Sequence, residues 1–106
     1  MIKVVVKKEN NDYIKCLEVS GHANYAKHGE DIVCAGVSAV IVGGLNALDK
    51  LSNKKLIKAV VKDGYVKIDV LKQDQDTKLI LQTIMIQLES IEESYSQFVK
   101  IIRQGG

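Results

Sequence analysis

The sequence predicts an α+β fold with the element order ββαββα, in which two helices pack on a mixed or antiparallel sheet of four strands. Four short segments alternate apolar and polar residues with the period of two that is typical of half-buried strands. Each pair of these segments is followed by a longer one, the first apolar and rich in small residues, the second with a regular apolar stripe. We expect residues 1–106 to form one domain, because this length suits a single core.

The first pair of strands is predicted to form a hairpin. Apolar and polar residues alternate over residues 2–7 and 13–20, and the polar run 9–12 is a turn signal. The second strand ends at Gly21. Residues 21–30 follow neither the strand nor the helix period and hold a glycine near each end, which predicts an exposed loop.

The first helix is predicted to begin at an acidic cap. The Asp31 side chain is placed to accept a backbone N–H bond, which would put Cys34 in the first turn of a helix that runs to about Leu51. The apolar stretch from Ile32 to Leu48 falls short of the roughly 20 residues that a bilayer span needs. We therefore expect a buried core helix and no membrane partner.

The second half of the chain repeats the pattern of two strands and a helix. Residues 56–61 and 65–70 are predicted strands, the pair 63–64 (Asp-Gly) is a strong hairpin signal, and residues 73–76 open the last helix. The apolar stripe of that helix has heptad spacing and comprises Leu81, Ile84, Leu88, Ile91, Tyr95, Phe98 and Ile102. One neighbouring helix does not need so long a stripe, so we expect a homodimer to cover the surplus.

Composition narrows the class of protein. The chain is 46% hydrophobic and 26% charged, with a net charge of +2, no tryptophan and only 5% aromatic residues. Base-stacking platforms are therefore not expected, and neither is direct nucleic-acid binding. We also expect a cytoplasmic protein with both cysteines reduced, because no charged and apolar leader opens the sequence.

Cys34 and His22 are the candidate catalytic pair. A cysteine in an apolar helix is more often a small buried hydrophobe than a nucleophile. A helix N-terminus, however, stabilises a thiolate, and His22 follows Gly21 at a strand end, from which a loop can turn the imidazole toward the helix. These two features favour a thiolate nucleophile at Cys34 with His22 as its base, whereas Cys16 lies mid-strand and is interpreted as structural.

Neighbouring polar residues leave several alternatives open. His28 is nearer to Cys34 in the chain than His22 is, but it sits inside the loop with weaker anchorage. The Asp31 carboxylate would disfavour a thiolate unless capping or a histidine occupies it. The Ser38 hydroxyl would bond either the Cys34 carbonyl or its sulfur. The spacing of the two histidines and Cys34 matches no common zinc pattern, so we expect neither metal nor cofactor.

These residues carry a resemblance to a known family. The runs Gly-His-Ala at 21–23 and Gly-x-Asp-Ile-Val-Cys-Ala-Gly-Val-Ser-Ala at 29–39 resemble the ribosomal-processing cysteine proteases, the Prp family, as do chain length and element order. The resemblance implies homodimers that remove an N-terminal extension from a precursor of a large-subunit ribosomal protein, where the extension ends in bulky aromatic residues. It implies Cys34 as nucleophile and His22 as base. Asp31, Ser38 and Gly21 are implied as supporting positions.

The competing functional hypotheses treat Cys34 differently. A non-catalytic ribosome-associated binding module would use it only for packing, and a thiol redox sensor would need a resolving cysteine, which no C-x-x-C motif provides. In the protease hypothesis the stretch 22–30 is a substrate loop that covers the thiolate and moves to admit a peptide. Gly29 would give this loop backbone freedom and Tyr25 would meet the substrate.

Overall fold

The structure confirms the α+β class and adds a fifth strand. A computed structural model of the chain describes residues 1–10, 13–21 and 30–105, and the side chains of all of these except Glu30 and Asp31. Its elements, in chain order, are β1 (Ile2–Lys8), β2 (Ile14–Ser20), α1 (Glu30–Leu51), β3 (Ile57–Lys62), β4 (Tyr65–Val70), α2 (Gln75–Ser94) and β5 (Val99–Gly105). A single 3-10 turn, Lys54–Leu56, precedes β3.

The strands form one mixed sheet in the order β3-β4-β2-β1-β5. Both predicted hairpins are present, since β1 pairs with β2 and β3 pairs with β4, in each case antiparallel. Strand β4 joins the two hairpins by pairing antiparallel with β2. Strand β5 lies parallel to β1 at the other edge and makes the sheet mixed.

The fifth strand corrects the prediction of a longer last helix. Helix α2 ends at Ser94, and the Tyr95 N–H closes it by bonding the Ile91 carbonyl at 2.8 Å. The following segment, Val99–Gly105, alternates buried and exposed residues at its start and is rich in β-branched residues, which favour a strand. It satisfies the backbone groups along the free edge of β1, which a longer helix would leave unpaired.

The apolar stripe therefore divides between two elements. Leu81, Ile84 and Leu88 are buried within the α2 part of the core, whereas Phe98 and Ile102 lie beyond the helix. The apolar residues keep their 3-4 spacing beyond Ser94 because β5 has apolar residues on both of its faces. Such a strand can show the same spacing as a helix. The helical surplus from which we predicted a homodimer does not exist.

Both helices pack on the same face of the sheet. The core between them and the strands is one cluster of buried side chains: Ile2, Val4, Val6, Ile14, Leu17, Val19, Val33, Val37, Ile41, Leu48, Ile68, Leu81, Ile84, Met85, Leu88, Val99 and Ile101. The helices pack tightly at Gly44, where an added Cβ would lie 2.4 Å from Ile84 Cδ1. The absence of a side chain at Gly44 thus leaves room for the bulky Ile84 side chain of α2.

Helix α1 also has exposed apolar side chains. Its segment Ile32–Leu51 is long and apolar enough to cross a membrane by length and composition, with a mean hydropathy of 1.8, so our expectation that it is too short was wrong. In the fold it is a core helix, but only 28% of that segment is buried. Ile32, Val42 and Leu51 are 61%, 57% and 68% exposed.

Candidate active site

Cys34 lies near the start of α1, where the helix meets the sheet. The helix begins at Glu30, one residue before the predicted cap, so Asp31 is inside the first turn rather than before it. Cys34 is consequently the fifth residue of α1 and follows the first turn instead of lying in it. Because the Cβ of a helical residue tilts toward the N-terminus, the thiol still leans toward the unpaired N–H groups of that turn.

The thiol opens into a cleft of about 450 Å³ between α1 and the sheet. Three of the predicted site residues line this cleft together, namely Gly21, Cys34 and Ser38. Cys34 is half-buried and packs against the core, while Ser38 is exposed one turn further along the helix. The rest of the lining is mainly apolar and consists of Ile2, Val19, Val37, Ile41, Val42, Val61, Lys62, Asp63, Gly64, Tyr65 and Val66.

One wall of the cleft is the turn between β3 and β4, which the sequence analysis did not assign to the site. Lys62, Asp63 and Gly64 all line the cleft, and the Gly21 N–H donates to the Gly64 carbonyl at 3.0 Å. This bond ties the end of β2 to the hairpin turn. The Asp-Gly signal correctly located the turn, but nothing local in the sequence indicates what a turn will face.

Gly21 occupies a position that only glycine fits. Its φ is +90°, in the left-handed region, and an added Cβ would lie 2.4 Å from the Met1 carbonyl oxygen. The predicted supporting role thus has a backbone reason, because Gly21 lets the chain leave β2 close to the first residue of β1. The chain leaves β2 here, immediately before His22 in the sequence.

The predicted roles of the loop residues lie outside the described part of the structure. His22, Tyr25, His28 and Gly29 belong to residues 22–29, which the structure does not describe, and the same holds for the Asp31 side chain. The pairing of His22 with Cys34 and the lid formed by residues 22–30 therefore stay predictions. Among the described residues, no group of three His, Cys, Asp or Glu side chains is placed to hold a metal.

Tyr65 is held neutral where it borders the cleft. Its hydroxyl donates a hydrogen bond to the Glu18 carboxylate on the neighbouring strand. This bond, with some loss of hydration and the carboxylate charge, raises the pKa of Tyr65 to about 12. The phenol is therefore protonated near neutral pH and is unsuited to act as a base there.

The second cysteine is placed apart from the cleft. Cys16 is buried in the middle of β2, opposite Asp69 of β4. Burial is the main cause that raises the pKa of the Cys16 thiol, and a hydrogen bond to Asp69 raises it further. Both effects suppress the thiolate, which agrees with the structural role predicted for this residue.

Sequence comparison identifies relatives along nearly the whole chain. The family model for the cysteine protease Prp matches residues 1–100. The ribosomal processing cysteine protease Prp of Bacillus subtilis is 31% identical, over 95% of this chain and 96% of its own. The protein of the same name from Mycoplasma pneumoniae is 39% identical, over 93% of this chain and 91% of its own.

Structural comparison gives the same result. The Prp protease of Staphylococcus aureus in complex with a substrate peptide superposes with a TM-score of 0.88 at 31% identity, covering 98% of this chain and all of its own. A second structure of that protein, with a covalently linked product peptide, superposes equally well. These comparisons favour a cysteine protease over a binding module without catalysis. The chain belongs to the Prp family of cysteine proteases.

Proposed function

We propose that the protein removes the N-terminal extension from a ribosomal protein precursor of the large subunit, with Cys34 as nucleophile and His22 as general base. The observation that carries this proposal is the half-buried Cys34 side chain in a cleft at the N-terminal end of α1. The names of the relatives support ribosomal processing, and the S. aureus protease has been seen with substrate and product peptides.

The chemistry follows from the position of the thiol. His22 takes the proton of Cys34, and the thiolate sulfur attacks the scissile carbonyl carbon. The C–N bond then breaks, and the leaving amine receives the proton from His22. A water molecule, deprotonated by His22, hydrolyses the thioester and returns the thiol. Attack on the peptide carbonyl and attack of water on the thioester each form an intermediate with a negatively charged oxygen. The unpaired N–H groups of the first turn of α1 lie on the side toward which Cys34 leans, and they would stabilise the oxyanion of each intermediate.

The cleft walls are suited to a bulky apolar side chain next to the scissile bond. Ile41 and Val42 of α1 line the cleft together with Val61 and Val66 of the second hairpin. Val42 and Val61 are 57% and 63% exposed, so a substrate side chain would bury apolar surface that water now covers. This fits an extension that ends in aromatic residues, as the family resemblance implies.

The supporting residues act on the catalytic pair rather than on the substrate. Gly21 places the end of β2 against the second hairpin and so directs the chain into His22. Ser38 shares the cleft with Cys34 and offers a hydroxyl to the sulfur. Asp31, inside the first turn, is in a position along the chain to orient the His22 imidazole.

A homodimer is part of the proposal, on a different basis from the heptad stripe. The outward face of α1 exposes Ile32 together with the small residues Ala35 and Ala39. A second copy of the chain packed on this face would remove that apolar surface from water. Replacing Ala39 with Asp should then give monomers in sedimentation velocity, whereas Ser90→Asp, an exposed change on α2 away from the surface groove that contains Ala39, should not.

The decisive experiment uses a peptide that spans the junction of such an extension. The wild-type protein should cleave it at one bond, and mass spectrometry of the reaction should show a transient acyl-enzyme at Cys34. Cys34→Ala and His22→Ala should each abolish cleavage while circular dichroism shows an intact fold. Cleavage by Cys34→Ala would overturn the assignment. We propose a reducing, cytoplasmic setting, because the nucleophile must remain a thiol and neither cysteine forms a disulfide.

A further inference from the structure

The face of the sheet that carries no helix is strongly basic. Both helices lie against the side that holds Val4, Leu17 and Ile68, and strand side chains alternate between the two sides. The opposite side carries two carboxylates, Glu18 and Asp69, against six lysines. These are Lys3, Lys7, Lys58, Lys62, Lys67 and Lys100. The face therefore has a charge of +4.

The strand register arranges these lysines in rows across the sheet. In one row Lys62 pairs with Tyr65, Tyr65 with Ser20, Ser20 with Lys3, and Lys3 with Lys100. This row crosses all five strands with three lysines and no carboxylate. At a strand spacing of about 4.8 Å it spans roughly 19 Å.

The two carboxylates of the face are already engaged. Glu18 accepts the hydrogen bond of Tyr65, and Asp69 lies 3.9 Å from Lys67 Nζ. Among the residues that the structure describes, this is the one ion pair on the face. The other five lysines, Lys3, Lys7, Lys58, Lys62 and Lys100, are all exposed.

The net charge of the chain conceals this asymmetry. Helices α1 and α2 contain seven carboxylates and only two lysines, so the helical layer is as acidic as the open face is basic. The two layers nearly cancel in the total of +2, from which we expected no nucleic-acid binding. A ligand is attracted by the local field rather than by the total charge.

We infer that this open face binds the phosphate backbone of RNA. Lysine binds phosphate as a point charge, and five exposed lysines spread over a flat sheet suit an extended polyanion. A lipid surface would call for protruding apolar side chains, but Val5, Val60 and Ile102 are only half-exposed between the lysines. The choice of RNA over DNA rests on the proposed function, because a ribosomal protein precursor is met beside RNA.

The test measures binding of a fluorescein-labelled uridine 20-mer by fluorescence anisotropy over a series of salt concentrations. With five lysine contacts, the logarithm of the association constant should fall with the logarithm of salt with a slope of about −3 to −4. The variant K3Q/K7Q/K100Q should lose about tenfold or more in affinity and about two units of slope. These three lysines lie outside the cleft lining, so cleavage of the junction peptide should be unchanged.

A control variant removes the same number of positive charges from a different part of the protein surface. Lys50, Lys55 and Lys72 are exposed and do not belong to the open face, so K50Q/K55Q/K72Q should keep most of the RNA affinity. Equal losses in both variants, or no loss in the first, would overturn the inference. Tighter binding of phosphatidylserine vesicles or of polyglutamate than of the RNA would also overturn it. Because the readout is binding, failure here leaves the peptide-cleavage result standing.

Discussion

The two cysteines of the chain occupy opposite kinds of site. Cys34 is half-buried on α1 and lines a cleft, whereas Cys16 is 7% exposed in the middle of a strand and lies beside a carboxylate. The surroundings of Cys34 offer helix N–H groups to a negative charge, and those of Cys16 offer burial and a second negative charge. The comparison shows that the placement of a thiol, and not its presence, makes it a candidate nucleophile.

The largest expected effect is a loss of catalysis. We expect it when Cys34 is replaced and not when Cys16 is replaced. Cys34→Ala should lower kcat/KM for the junction peptide by at least about 1,000-fold, because no covalent intermediate can form. The matched change Cys16→Ala should keep most of the activity, since that side chain only packs. Initial rates with both purified variants test this. Comparable losses in both would mean that the effect of Cys34→Ala comes from misfolding.

The next effect concerns the reactivity of the two thiols in the native protein. We expect iodoacetamide to modify Cys34 about 100-fold faster than Cys16, because burial and Asp69 keep Cys16 protonated and covered. Peptide mass spectrometry after timed quenching gives both rates in one sample. The difference should vanish in 8 M urea, and equal native rates would break the comparison.

A third prediction tests the backbone that forms one end of the Cys34 cleft. Gly21→Ala introduces a Cβ into contact with Met1 and strains a φ of +90°, and it should cost about 2 to 4 kcal/mol of unfolding free energy. Gly43→Ala is the control, because its Cβ would meet nothing within 4 Å, and it should stabilise α1 by about 0.5 to 1 kcal/mol. Urea denaturation followed by circular dichroism measures both values.

If Gly21→Ala unfolds at the same urea concentration as the wild type, the close approach of Met1 does not require glycine at position 21. In that case the same variant should also cleave the junction peptide normally. We expect instead that kcat falls, because the hydrogen bond from Gly21 to Gly64 holds two walls of the cleft together.

The smallest expected effect concerns the contribution of Asp69 to the raised pKa of Cys16. Asp69 raises the pKa of this thiol through a hydrogen bond and through its charge, so Asp69→Asn should lower that pKa toward its ordinary value. More thiolate is then present at a given pH, and alkylation of Cys16 at pH 8.5 should quicken about two- to fivefold. The gain stays small because burial, the larger cause, remains. The Cys34 rate is the internal control, and a slower Cys16 would contradict the sign.

The sequence predicted local elements well and the end of the chain poorly. Strands β1 to β4, helix α1 and the start of α2 were located to within a few residues, because periodicity and turn residues are local signals. The segment after Ser94 was missed because its apolar spacing fits a helix, while its preference for a strand depends on the free edge of β1, nearly a hundred residues away. Pairing with β1 therefore decided that this segment forms a strand.

The candidate site likewise contains residues that the sequence identified and residues that it did not. Cys34, Gly21 and Ser38 were identified from the sequence and do line one cleft. The wall contributed by Lys62, Asp63 and Gly64 was not foreseen, because it depends on β4 pairing with β2 rather than on any residue of the turn. Membership of the Prp family was also recognisable from the sequence, since its motif lies in one short run of residues.

By itself the sequence determined where the chain turns and the α+β class, and it indicated Cys34 as the candidate nucleophile. Only the tertiary structure decided that the last residues add a strand, that the second hairpin closes the cleft, and that the lysines gather on one face. The physical reason is the same in each case. Periodicity and caps act within a few residues, whereas strand register brings together side chains that are far apart in the chain, and net charge contains no information about that arrangement.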